Sequence, residues 1–160
     1  MESIEKEFNE LVKEHKKTIF TVCYFYSKDA DEVNDFFQEI LINLWRGYED
    51  FRGVSNIRTW IYRVSLNTCT DQMRKKKRRV STIPLSIDVD LYNDDSDKSH
   101  QIQQLHERIG RLNVFDKAII LLWLENMSYS EIADIMGITV ANVTTRLFRI
   151  KEQLKAMSNK

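Results

Sequence analysis

Apolar residues recur along this chain at helical spacing, broken by few glycines and one proline. Ile4, Phe8, Leu11, Val12, His15, Ile19, Val22 and Cys23 line one face of a helix predicted over Met1–Tyr26. Ser27 to Glu32 reads as an acidic helix entry with Ser or Asp as N-cap, where carboxylates meet the positive helix end. The second helix runs to about Tyr48, with Val33, Phe36, Phe37, Ile40, Leu41 and Leu44 as its buried stripe. Glu49–Ser55 is a loop pivoting on Gly53, and Ser55 or Asn56 caps a third helix reaching Arg79. Its apolar contacts come from Ile57, Trp60, Ile61, Val64, Thr68 and Met73. Further on, Ile102, Leu105, Ile109 and Leu112 stripe a short helix over Gln101–Leu112. Asn113 caps Val114–Glu125, which is apolar nearly all round and therefore central to its domain.

The stretch Ser128–Lys155 holds two amphipathic helices, the first on Ile132, Ala133, Ile135 and Met136, the second on Val140, Val143, Leu147 and Ile150. Gly137 stands where a helix ends by entering the left-handed region, and Thr139 is placed to cap the second of the pair. Ala133 is small enough for a close helix crossing. The pattern is that of a helix-turn-helix, whose second helix can enter a DNA major groove; an ordinary helical hairpin is the plain alternative.

Between the two halves the composition changes. Val80–His100 contains Pro84 and five aspartates, without periodicity, and reads as a flexible acidic linker. The expected architecture is all-α, with one helical domain over residues 1–79, a linker over 80–100 and a second domain over 101–160.

Composition adds little to the fold but constrains the chemistry. In 160 residues, 24 Lys and Arg balance 24 Asp and Glu, so the zero net charge hides local segregation. Arg74 to Arg79 is an unbroken cationic run. One helix dipole does not require six cations, so a phosphate-backbone contact is expected; a solvated helix end or a nuclear-localisation signal are the other readings. Tyr48, Phe51, Trp60 and Tyr62 lie near it, and rings beside cations suit single-stranded nucleic acid. Trp60 is expected partly in the core and Phe51 more exposed. Asp35, Gln38, Glu39 and Asn43 share one face of the second helix, which is either solvated or docks a basic partner. Cys23 and Cys69 are distant in sequence, and neither they nor His15, His100 and His106 form a metal-ligand spacing, so no cofactor or metal is expected. No catalytic constellation is apparent. No apolar run has transmembrane length and no signal peptide opens the chain, which points to a reduced cytoplasmic setting.

Asp35-Phe36-Phe37-Gln38-Glu39, continuing to Trp45, resembles the D-x-x-Q-E helix of bacterial sigma factors of the sigma-70 superfamily. Arg58-Thr59-Trp60-Ile61-Tyr62-Arg63-Val64 with Asn67 and the basic tail is similar to the next helix of region two, and the helix-turn-helix resembles region four. Having only these two regions, in this order, resembles the extracytoplasmic-function (ECF) group. Gly137, Val143, Arg146, Leu147 and Arg149 match the family pattern across the turn and recognition helix. Thr144 stands where a basic residue is usual, and Asn113 where proline is usual.

The resemblance implies partners and sites. Asp35, Gln38 and Glu39, with Asn43 nearby, would bind the coiled coil of the β′ subunit of core RNA polymerase. Tyr48, Phe51, Arg52, Asn56, Arg58, Trp60 and Lys75, Lys76 and Lys77 would hold the single-stranded −10 element, from which a base is extruded. Thr144, Thr145, Phe148 and Arg149 would face base edges of the −35 element, with Phe148 against a thymine methyl or simply packed. Arg146 and Lys151 would contact phosphate, or Arg146 would anchor the helix internally. An anti-sigma factor often holds family members. The implied function is promoter-directed initiation with assistance to melting. A dimeric helix-turn-helix regulator of duplex DNA is the alternative; a nucleic-acid hydrolase using Asp29, Asp31 and Asp35 lacks a supporting base or metal set.

Overall fold

The computed structural model describes residues 2–51, 56–76 and 96–158. Every regular element among them is an α-helix. The chain divides into two compact units, Met1–Leu91 and Tyr92–Lys160.

The first unit packs α1 (Glu2–Tyr26), α2 (Ala30–Phe51) and α3 (Ile57–Lys76), each against both others. The core takes Phe8, Ile19, Val22 and Cys23 from the predicted stripe of α1, Val33, Phe36, Ile40 and Leu44 from that of α2, where Phe37 and Leu41 are only half-buried, and Ile61 and Thr68 from that of α3, joined there by Leu66 and Cys69, which the predicted stripe did not include. Burying each Val, Leu, Ile or Phe among them stabilises by about 1.5–3 kcal/mol. Both cysteines are buried thiols outside any disulfide. The Tyr26 phenol is buried beside Cys69, and burial, then that neighbour, push its pKa up.

The α1–α2 corner distinguishes the two candidate caps. The Ser27 hydroxyl donates back to Cys23 O at 2.6 Å and so closes α1. Asp29 caps α2, its Oδ1 accepting from Glu32 N at 2.9 Å, while Glu32 Oε1 accepts from Lys28 N at 2.7 Å. At the other end α2 passes Tyr48 and continues to Phe51, so Glu49 and Asp50 are helical where a loop was expected. Asn56 caps α3, accepting from Arg58 N and Thr59 N at 2.9 and 3.3 Å. Gly53, Ser55, Arg78, Arg79 and most of the expected linker lie outside the described residues.

The second unit contains α4 (Ser96–Gly110), α5 (Val114–Leu124), α6 (Tyr129–Met136) and α7 (Val140–Ser158). Helix α4 begins five residues before Gln101, inside the stretch read as linker. Helix α5 is the centre, with Ala118 to Leu122 all buried. It starts on Asn113, whose Oδ1 accepts from Asp116 N at 2.8 Å. Just beyond its C-cap, Glu125, Asn126 takes the left-handed conformation at φ 64. Asn126 N donates to Trp123 O and Met127 N to Leu122 O, the paired bonds of a C-terminal cap that usually calls on glycine.

Candidate nucleic-acid interface

The turn between α6 and α7 is specified locally. Ser128 and Glu131 make a reciprocal capping box at the start of α6, at 3.1 and 2.9 Å. Gly137 ends the helix at φ 70, and both Gly137 N and Ile138 N reach Ala133 O. Thr139 Oγ1 then accepts from Asn142 N at 3.1 Å and opens α7. Val143, Leu147 and Ile150 are buried, which turns Val140, Ala141, Thr144, Thr145, Phe148 and Arg149 to the exposed side. The ring of Phe148 is 67% exposed, so it is not a packing residue.

Two predicted phosphate contacts have partners inside the unit. Arg146 Nε donates to Asn142 Oδ1 at 2.9 Å, its Nη1 donates to Asp116 Oδ1 at 3.3 Å, and its guanidinium lies 4.6 Å from the centroid of Phe115. Of the two roles offered for Arg146, this geometry is that of the internal anchor. Lys151 Nζ sits 4.0 Å from the centroid of Trp123. The sequence reading missed Phe115 and Asp116 as partners of Arg146, because that contact joins residues 30 apart; the i, i+4 pairing of Asn142 with Arg146 was its one local trace.

In the first unit three of the four predicted rings, Tyr48, Phe51 and Trp60, form a continuous series with Phe8 and Trp45. Phe51 stacks on Trp60 at 4.5 Å and 14°, Tyr48 tilts toward Trp60 at 6.4 Å, and Phe8 meets Tyr48 and Trp45 edge-on at 5.5 and 5.0 Å. Trp60 is half-buried as expected, and Phe51, expected to be the more exposed ring, is half-buried too, because the extra turn of α2 lays it on the indole. Tyr62 is fully buried, with Arg58 6.0 Å from its ring centroid. The Tyr48 hydroxyl donates to Glu7 Oε2 at 3.3 Å. Arg74 lies 3.9 Å from Asp71, and Lys75 is exposed. Lys76 closes α3; Arg52 and Lys77 lie outside the described residues.

Along α2, Asp35 and Gln38 are exposed and Glu39 half-buried. Asn43 turns toward α3, where its Nδ2 donates to Thr68 Oγ1 at 2.9 Å, and the Thr68 hydroxyl donates on to Val64 O. This bond makes Asn43 an interhelix tie. In line with Asp35 and Gln38 stand Ile42 and Trp45, 42% and 44% exposed, which the sequence reading did not single out. Their signal was available: both are apolar and both fall outside the buried stripe of α2.

Comparison with known proteins follows the same division. A family model described as Sigma-70 region 2 matches residues 11–79, and one described as Sigma-70, region 4 matches residues 102–154. The chain is 31% identical to the ECF RNA polymerase sigma-E factor of Haemophilus influenzae, over 94% of this chain and 86% of that protein. It is 26% identical to the RNA polymerase sigma factor SigV of Bacillus subtilis, over 93% and 89% of the two chains. Among solved structures, the sigma factor RpoE from Bartonella quintana, in complex with the anti-sigma factor NepR, shares the fold with a TM-score of 0.79 at 20% identity. That match covers 96% of this chain and 98% of the other.

Proposed function

Because the chain belongs to the sigma-70 family of RNA polymerase sigma factors, in its ECF group, we propose a division of its work between the two units. It binds core RNA polymerase and directs it to promoter DNA for initiation of transcription. The single observation that carries this is the two region matches, in order, over one chain. A dimeric regulator would have no use for a region 2 domain, and that alternative is not favoured.

The first unit takes the polymerase and the −10 element. Asp35, Gln38 and Glu39 dock on the β′ coiled coil, and the exposed Ile42 and Trp45 beside them supply the apolar centre that an interface needs. The ring series Tyr48, Phe51 and Trp60, with Arg52, Asn56, Arg58 and Lys75 to Lys77, receives the unpaired strand. Half-buried rings suit that role, since each stacked base gains about 1–3 kcal/mol on a ring already held in place. The chain between α3 and α4 joins the units.

The second unit takes the −35 element as duplex. Helix α7 presents Thr144, Thr145, Phe148 and Arg149 to the major groove, Lys151 lies toward phosphate, and Arg146 holds the helix at its angle. The protein acts by binding alone, without catalysis of its own, and works in the cytoplasm; among the described residues no helix is long and apolar enough to cross a membrane. An anti-sigma factor is a further partner, a reading supported by the shared fold with RpoE, solved with NepR. Core-binding is tested by a pull-down with purified polymerase. Asp35→Ala with Gln38→Ala weakens capture while the helical spectrum is unchanged; undiminished capture contradicts the assigned face.

A further inference from the structure

Thr144 and Thr145 each carry a hydroxyl, and each hydroxyl has one proton to give. Both protons are committed: Thr144 Oγ1 donates to Val140 O at 3.0 Å and Thr145 Oγ1 to Ala141 O at 3.1 Å. With the oxygen folded back onto the preceding turn, each side chain offers a methyl group outward, and no donor. Around them stand Val140, 47% exposed, Ala141, also exposed, and the Phe148 ring, 67% exposed. The outward face of the first two and a half turns of α7 is therefore a strip of methyl groups and one ring, with Arg149 as the cation at its edge.

Such a face discriminates among base pairs by what it lacks. In the major groove, adenine, guanine and cytosine present donors and acceptors, and thymine alone adds an apolar group, its C5 methyl. A donor-poor surface leaves polar base edges unpaired, which is costly, and gains by covering a methyl. Thr144 and Phe148 are four residues apart, a rise of about 6 Å along the helix, which exceeds the rise of about 3.4 Å per base pair, so they meet different pairs.

From these contacts we infer that α7 reads thymine methyls at two or more neighbouring A·T pairs of the −35 element, through Thr144 and Phe148, beside a guanine read by Arg149. This rests on the assignment of α7 to promoter DNA. It also gives Thr144 a purpose. At the position where relatives usually carry a basic residue, this chain exchanges a charge for a methyl contact, and sequence preference moves toward thymine.

Deoxyuridine, which differs from thymidine only in lacking that methyl, supplies the test. Holoenzyme assembled from the full chain and core polymerase selects promoters from fragments randomised in the upstream element. The selected promoter is then remade with each upstream thymidine replaced in turn. Affinity falls about fourfold at each contacted position, the equivalent of one buried methyl group. Thr144→Ser and Phe148→Ala each abolish the response at one position, and Thr144→Val retains it. Indifference of the unmodified protein to every replacement overturns the inference, as does an unaltered response in both Thr144→Ser and Phe148→Ala. Should Arg149→Ala still relax the upstream preference of a promoter indifferent to deoxyuridine, only this inference fails. A selection that returns no upstream preference overturns the assignment of α7 as well.

Discussion

Arg146, on the helix assigned to DNA, is held by Asp116 of α5, Nη1 to Oδ1 at 3.3 Å, while Asp116 Oδ2 accepts from Asn113 Nδ2 at 3.1 Å. Recognition helix, central helix and the cap of the central helix thus share one polar cluster, with Phe115 against the guanidinium. The angle at which α7 leaves the core is fixed by this cluster as well as by Val143, Leu147 and Ile150 beneath it.

Removing Arg146 should therefore cost stability. Arg146→Ala is expected to destabilise the second unit by about 1–2 kcal/mol, a value kept low because the pair is only partly buried. Arg146→Lys, which keeps charge but loses the planar fork, falls between. The check is denaturant unfolding together with the salt dependence of −35 binding: an anchor leaves the slope of log affinity on log salt unchanged, whereas a slope reduced by about 1 marks a phosphate contact.

The cationic end of α3 makes the opposite prediction. Neutralising Lys75, Lys76 and Lys77 together should reduce the salt slope of promoter binding, by about 1 for each phosphate that no longer meets a cation, with little change in stability. A slope equal to that of the unmodified protein removes this segment from the DNA interface.

Trp45 tests the polymerase face without touching a charge. It is 44% exposed and meets Phe8 edge-on, so truncation leaves most of the core intact. Trp45→Ala should weaken core-polymerase affinity by tenfold or more, the range of an aromatic hot spot, as read by a fluorescence titration of labelled protein with core enzyme. Unchanged affinity returns Ile42 and Trp45 to ordinary surface residues.

Burial holds the Tyr24 phenol up at about 12, against an ordinary value of 10. The folded-state value lies above the unfolded one, so the stability it represents is fully present below pH 10 and is lost as pH rises from 10 toward 12. Tyr26 shifts the same way. Urea midpoints should fall over that window, and less steeply in Tyr24→Phe; identical pH profiles for the two proteins contradict the assignment.

How much of this was legible in the sequence depends on the range of each interaction. The helices, the Gly137 turn and the Asn113 and Thr139 caps depend on residues within one turn of each other, and the chain states them directly. The end of α2 was misplaced because Glu49 and Asp50 look like loop residues, and only the stacking of Phe51 on Trp60 shows why the helix continues. Asn43 was read with the polar face of α2, yet its partner Thr68 belongs to another helix. Arg146 could not be assigned for the same reason. The exposed pair Ile42 and Trp45 was visible as apolar residues off the stripe, but periodicity directs attention to the stripe itself. Thr144 was noticed as a departure from relatives; what its methyl offers became apparent only with the hydroxyl located on Val140 O.

The central claim, that this chain confers promoter specificity on RNA polymerase, is tested most directly by run-off transcription. Purified core polymerase is incubated with genomic fragments, with and without the full chain. The account predicts discrete transcripts that require the protein, start at a small set of sites, and disappear with Asp35→Ala and Gln38→Ala combined. Identical transcript patterns with and without the protein would contradict it.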